Sequence, residues 1–176
     1  MTAAPLLRLI LEAMKRHRLE AILIGNAGAA IHGAPVTTLD FDFMFRDTPV
    51  NMRKLKAVAK QLKAVVLRPY YPVSKFYRMV DDERGMPVVD GVKSFESLRS
   101  RAHRVEVENA PLLLASLGDI IKSKRSAGRA RDLAVMEVLE RTLNEQTNFS
   151  AEKNGAAPVA SRRARRPQGR KRSSPH

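Results

Sequence analysis

Apolar side chains recur along most of this chain at spacings that switch between helical and strand-like. Leu6, Leu7, Leu9, Ile10, Leu11 and Met14 follow Pro5 at intervals of three and four. Proline suits a first helical turn, so residues 5–16 read as a helix. Ala21–Ile24 is a short apolar run closed by Gly25, the pattern of a buried strand. Asn26 to Ile31 is small and Ala-rich, which fits a helix tucked closely against that strand. After a turn around Gly33 and Pro35, Leu39-Asp40-Phe41-Asp42-Phe43 alternates strictly. A strand there puts Leu39, Phe41 and Phe43 on one face and both aspartates on the other.

Residues 50–63 return to helical spacing through Met52, Leu55, Val58, Ala59 and Leu62, and Val65 to Leu67 read as another strand. Phe76–Val80 and Met86–Val89 suggest a hairpin about residues 81–85, followed by a helix entered at Ser94. Arg104–Val107 and Leu112–Ala115 are further expected strands. Ser116, with Asp119 three residues on, signals the start of a helix through Lys124, and Gly128 separates it from a last helix over 130–145. Elements that alternate in this way define an α/β domain. The expected architecture is a mixed sheet with flanking helices and a C-terminal helical pair closing over a cleft. From Asn148 the periodicity stops, and too little apolar surface remains to offset the entropy of ordering the chain. The expected organisation is one domain over residues 1–147 and a basic, disordered tail over 148–176.

Composition narrows the field. A chain of 176 residues has room for one domain with a real core, and hence for one site. Lys and Arg outnumber Asp and Glu by 32 to 18, a formal charge of +14 that favours polyanionic partners. The excess is shared: residues 151–176 hold eight basic residues against one acidic, and residues 1–150 hold 24 against 17. The absence of cysteine excludes disulfides, thiolate chemistry and Cys-based zinc sites. Arg8 interrupts the N-terminal apolar stretch, and no run approaches the roughly 20 apolar residues a membrane-spanning helix needs. A cytoplasmic setting without membrane contact is the expectation.

Two carboxylates one residue apart on a strand have Cβ atoms roughly 7 Å apart on the same face, which suits joint coordination of a hard divalent cation such as Mg²⁺. An Asp-x-Asp also fits a solvent-facing strand with alternating acids. Fifteen residues upstream of Asp40, Gly25-Asn26 marks a strand-to-helix turn, where a missing side chain lets backbone amides approach a phosphate. Taken alone, Gly25 reads as a simple turn, and Gly28, Ala29 and Ala30 as close helix packing. Together with the aspartates they make a phosphate cradle beside a metal pair.

The stretch from Gly25 to Gly33, with Thr37-Thr38-Leu39-Asp40-Phe41-Asp42, resembles the signature of the DNA polymerase beta-like nucleotidyltransferase superfamily. Leu117 to Leu133, with Gly118-Asp119, Lys124-Arg125 and Arg129-Ala130-Arg131-Asp132, is similar to the ending of small bacterial members of toxin and abortive-infection type. The resemblance spans residues 15–140. It implies transfer of a nucleoside monophosphate from a nucleoside triphosphate to an acceptor, on Mg²⁺ ions held by three carboxylates. It assigns Asp40 and Asp42 to the metal, Gly25 and Asn26 to the triphosphate, and Lys124, Arg125 and Arg129 to basic positions that neutralise pyrophosphate or position an acceptor. Asp132 could orient Arg129 or form a surface pair, and His32 has a place in the same stretch, where a lone histidine is more often structural than catalytic.

This chain departs from the pattern at two points. Gly25-Asn26 stands where Gly-Gly or Gly-Ser is usual. The third carboxylate normally lies on a strand of apolar-Asp-apolar type, but here that strand is Met86-Pro87-Val88-Val89, so either Asp90 at its end is the third metal and catalytic ligand or the strand has lost it. The first expectation is therefore a metal-dependent nucleotidyltransferase acting on an RNA such as tRNA, on a protein or on a small alcohol. The basic balance tilts towards RNA. A catalytically inactive nucleotide- or RNA-binding module of the same fold is the alternative, and one half of a toxin–antitoxin pair, bound by an antitoxin protein, is a third. The arginine clusters at 162–166 and 170–172 could add phosphate contacts, without aromatic residues for base stacking.

Overall fold

The structure is a computed structural model that describes residues 3–38, 40–67, 78–81 and 95–153. It divides into two compact units, residues 1–143 and 144–176. The first unit begins with α1 (Ala3–Arg16), β1 (Ala21–Ile24), α2 (Gly25–Ile31) and β2 (Asp42–Phe45). It continues with α3 (Pro49–Gln61), β3 (Ala64–Leu67), β4 (Arg78–Asp81) and α4 (Phe95–Arg99). β5 (His103–Val107), β6 (Ala110–Leu114), α5 (Leu117–Ala127), α6 (Ala130–Leu133) and α7 (Met136–Lys153) complete the order.

The main sheet has four strands in the order β2-β1-β6-β5. β1 pairs antiparallel with β2, with Ile24 opposite Asp42, and parallel with β6; β5 and β6 are antiparallel. The mixed sheet with flanking helices expected from the sequence is therefore present. Glu108 and Asn109 both have positive φ, 52° and 63°, and turn β5 into β6 in the manner of a two-residue type I′ hairpin. A separate two-stranded sheet joins β3 to β4. The hairpin expected between residues 76 and 89 has only its first strand among the described residues, and that strand pairs with β3.

Strand alternation sorts the core into two layers. Leu23, Phe43, Phe45, Leu112 and Leu114 pack against α1 and α3, through Ile10, Leu11, Met14, Leu55 and Val58. Ile22 and Met44 point the other way, towards Ala29 of α2, Ile120 and Ile121 of α5, and Leu139 of α7. Gly28 explains how closely α2 can approach: an added Cβ would lie 3.1 Å from Ile120 Cδ1. Apolar burial at about 25 cal/mol per Å² makes these two layers the main source of stability.

Local signals set the ends of the helices. The Thr48 side chain accepts a hydrogen bond from Asn51 N–H with Pro49 in the first turn, so α3 starts at a capped proline. Ser116 caps α5 by accepting from Asp119 N–H, and Gly128, at φ 61°, ends it in the left-handed conformation. The last helix is bent rather than continuous, with α6 giving way to α7 through a turn at Ala134 and Val135. α7 runs on to Lys153, so residues 148–153 are helical where the loss of apolar periodicity predicted tail. A polar helix can continue through its own backbone bonds once packing has nucleated it. Residues 154–176, with the arginine clusters, lie outside the described residues.

Candidate active site

The alternation around Asp40 shifts in the structure. The strand begins at Asp42, and Asp40 lies two residues before it, in a segment outside any regular element. Thr38 fixes that segment: its Oγ1 accepts from Asp40 N–H at 3.1 Å. The facial separation still holds, because Phe41 and Phe43 are buried in the core while Asp40 and Asp42 line a common cleft of about 570 Å³.

Gly25 forms the wall of that cleft opposite Asp42. Its φ is +68°, and a Cβ there would lie 2.1 Å from Asp42 Oδ2. Antiparallel pairing of Ile24 with Asp42 brings the turn and the carboxylate together, so the glycine is required both by backbone conformation and by space. Asn26, in the first turn of α2, carries the buried side-chain oxygen, Oδ1, that has no hydrogen-bond partner among the described residues. A buried acceptor without a donor costs free energy unless something else satisfies it. It lines the same cleft.

Asp42 is held above the ordinary carboxylate range, first by burial and then by the negative charge of Asp40, against the more distant pull of Lys124, Arg131 and Arg129. Two acids sharing a half-buried site are costly to ionise together, and a cation between them relieves that cost. Hard carboxylate oxygens on one face, beside an unsatisfied amide oxygen, fit Mg²⁺. Among the described residues no group of three His, Cys, Asp or Glu side chains clusters. One or two carboxylates completed by substrate phosphates is an ordinary Mg²⁺ arrangement. Asp90, the expected third carboxylate, lies outside the described residues.

The facing wall comes from α5 and α6. Lys124 and Arg129 line the cleft, as do Lys122 and Arg131, which sequence reading did not single out. Arg125 does not line it; its Nη2 donates to Glu140 Oε1 of α7 at 2.6 Å. One position along a helix turns a side chain by about 100°, so Lys124 and Arg125 cannot both face inward. Asp132 neither orients Arg129 nor forms a surface pair. It is buried and accepts from Lys124 Nζ at 2.9 Å, across the Gly128 turn. His32 packs its ring nitrogen Nε2 2.7 Å from Ala115 O, which ties the end of α2 to the end of β6.

Two further groups were missed. Asp119 is buried, and its carboxylate accepts from Arg101 Nε and Nη2, each at 2.9 Å, and from Ser116 Oγ at 2.7 Å. The Arg101 hydrogen bonds hold it below the usual carboxylate range. Its sequence signal, the Ser-x-x-Asp start of a helix, pointed to capping and not to the cleft. At the other end of the sheet, Glu20 accepts from Arg46 and from Arg99, Arg46 also pairs with Glu96, and the Arg46 guanidinium lies 4.5 Å from the Phe95 ring centre. This network ties α4 to the sheet.

The mixed sheet with its flanking helices and bent last helix is similar in fold to solved nucleotidyltransferase structures. The antibiotic-resistance factor ANT(2'')-Ia matches in a solution structure at a TM-score of 0.58 and 11% identity, over 86% of this chain and 93% of that one. A crystal structure of ANT(2'')-Ia in complex with adenylyl-2''-tobramycin matches at 0.56 and 13%, over 87% and 99%. A Thermotoga maritima protein assigned as a nucleotidyltransferase matches at 0.55 and 17%, over 80% and 92%. No protein-family model and no curated protein matches the chain.

Proposed function

We propose that this protein transfers a nucleoside monophosphate from a nucleoside triphosphate to an acceptor hydroxyl or phosphate, with Mg²⁺ held by Asp40 and Asp42. The observation that carries the reading is the Gly25–Asp42 contact, where a bare backbone turn and a half-buried carboxylate with no partner among the described residues meet in a cleft with excess positive charge on its far wall. In that arrangement Gly25 and Asn26 receive the triphosphate. Lys124, Arg129 and Arg131 face the charge that builds on the departing pyrophosphate. Bound Mg²⁺ would polarise the phosphoryl group and lower the pKa of the attacking oxygen. The protein's share is positioning and fixed charge, with little covalent chemistry of its own.

The likeness of the fold to ANT(2'')-Ia, captured with an adenylylated product, supports nucleotidyl transfer as the reaction. The charge of +14 favours RNA over a small alcohol as acceptor. The toxin-type likeness of the sequence adds a cytoplasmic setting and a neutralising antitoxin, in which expression of the wild type, and not of Asp40→Asn/Asp42→Asn, arrests growth.

The test is transfer of label from α-labelled ATP, CTP, GTP and UTP with Mg²⁺, to total tRNA and to the protein itself, beside Asp40→Asn/Asp42→Asn. Label moved by the wild type alone supports the enzyme and names its nucleotide. Triphosphate binding without transfer would favour an inactive binding module.

A further inference from the structure

Ion pairing is uneven over this molecule. Arg8 pairs with Glu12, Arg46 with Glu20 and Glu96, Arg101 with Asp119, Lys124 with Asp132 and Arg125 with Glu140. The outer side of α1 and α3 is different. Exposed Lys15, Arg16 and Arg18 at the end of α1 have no ion-pair partner among the described residues, and neither do exposed Arg53, Lys56 and Lys60 of α3. Residues 49–63 contain no acidic side chain. Arg53, Lys56 and Lys60 stand three and four residues apart, so they form one stripe, with backbone positions about 4.5 and 6 Å apart along the axis. Like charges at this spacing repel and destabilise a helix.

The two helices meet along the edge of α3 next to this stripe. A ring nitrogen of His17 lies 3.0 Å from Gln61 Oε1, and Lys54 Nζ donates to Arg18 O at 2.7 Å. Between them runs a groove lined by Glu12, Lys15, Arg16 and Gln61. The apolar sides of both helices are committed to the core through Ile10, Leu11, Met14, Leu55 and Val58. This layer covers the side of the sheet opposite the cleft, since Asp42 alternates with Phe43 and Phe45.

From this we infer that the α1–α3 face is a docking surface for the phosphate backbone of an RNA. An anionic membrane fits it less well, because a helix that lies on lipid needs a continuous free apolar side, and among the described residues the large apolar side chains these two expose are Leu9 and Val50 alone. α1 and α3 contain no aromatic residue, so bases are not stacked there and contact is with phosphates, independent of sequence. The face deepens the proposed function by holding an RNA acceptor away from the reacting groups; only its consequence for transfer rests on that reading.

The experiment uses the full chain and a labelled RNA stem-loop without nucleotide, with binding followed by anisotropy from roughly 50 to 200 mM KCl. Arg53→Gln/Lys56→Gln/Lys60→Gln should weaken binding about ten-fold or more and make the salt slope shallower by about 2 to 3, near 0.7–0.9 per phosphate contact. Its melting temperature should hold or rise, because repulsion is removed. Lys15→Gln/Arg16→Gln gives an independent reading from α1, with a slope shallower by about 1 to 2. Asp40→Asn/Asp42→Asn should bind the RNA at least as well as the wild type, which separates failure of this inference from failure of the transfer reading. Unchanged RNA affinity and slope in both α1 and α3 variants, with binding lost instead on Arg162→Gln/Arg163→Gln/Arg165→Gln/Arg166→Gln, would overturn it. So would loss of binding to phosphatidylserine vesicles in the α3 variant while RNA binding stays intact.

Discussion

Asp42 and Asp119 line the same cleft and meet opposite fates. The Asp119 carboxylate, at the start of α5, accepts from Arg101 and from Ser116 Oγ, and is held below the ordinary carboxylate range. Asp42, at the start of β2, receives no hydrogen bond from the described residues and is held above that range by burial and by Asp40. A fold that can satisfy one carboxylate so fully has the means to satisfy the other. That the described residues leave Asp42 bare, against a glycine with no room for a side chain, supports the proposal that it is kept for a ligand, while Asp119 serves the structure of the wall.

The largest effect expected of any change that breaks this contrast is on activity. Asp42→Asn or Asp40→Asn should lower labelled transfer by about 10³-fold or more, the scale of losing a main electrostatic contributor to the transition state, without lowering the melting temperature. Gly25→Ala comes next. The added Cβ meets Asp42 Oδ2 and the backbone remains at φ +68°, so it should lose transfer to a similar degree and also cost about 1–3 kcal/mol in chemical denaturation. Asp119→Asn should be milder in both respects. It weakens charge-assisted bonds to a half-exposed arginine, whose worth solvent screening reduces, and leaves measurable transfer.

Opposite pKa shifts give opposite pH signatures. Asp119, depressed on folding, contributes stability that is present above the unfolded carboxylate range, near pH 4, and lost as pH falls through its lower folded value. Asp42, raised on folding, does the reverse: the native state binds its proton more tightly, so stability is lost as pH rises from the unfolded range through the folded value. Urea melts from about pH 3 to 7 should show Asp119→Asn flattening the loss of stability towards acid, and Asp42→Asn removing the loss that sets in as pH rises above the unfolded carboxylate range.

Much of the fold could be read from the sequence because its signals were local. The Ser116–Asp119 start, the Gly128 stop and the period of α1 each depend on neighbours a turn away, and each lies where the pattern places it. The start of β2 did not follow the alternation, because Leu39–Asp42 satisfies an extended pattern whether or not a partner strand reaches it; pairing with β1 begins only at Asp42. Pairings between distant residues were the least legible. Asp132 read either as a partner that orients Arg129 or as a surface acid of the last helix, and only the fold across Gly128 buries it on Lys124. Arg101 gave no signal, since an arginine after a short helix becomes part of a cleft only when α5 is laid beside it. At the candidate site, spacing and residue type carried Gly25, Asn26, Asp40 and Asp42 into one cleft, whereas consecutive basic residues could not tell Lys124, facing in, from Arg125, facing out.

The most direct measurement on the central claim is thermal unfolding at pH 7 of the wild type and Asp42→Asn, with Mg²⁺ and a non-hydrolysable nucleoside triphosphate added singly and together. A carboxylate kept for a metal-bound phosphate predicts that the wild type gains stability chiefly when both are present, because ligand that binds only the native state raises its melting point. Asp42→Asn should start at least as stable and gain little. Equal gains in the two proteins would contradict the assignment of Asp42 to the metal and with it the proposed reaction.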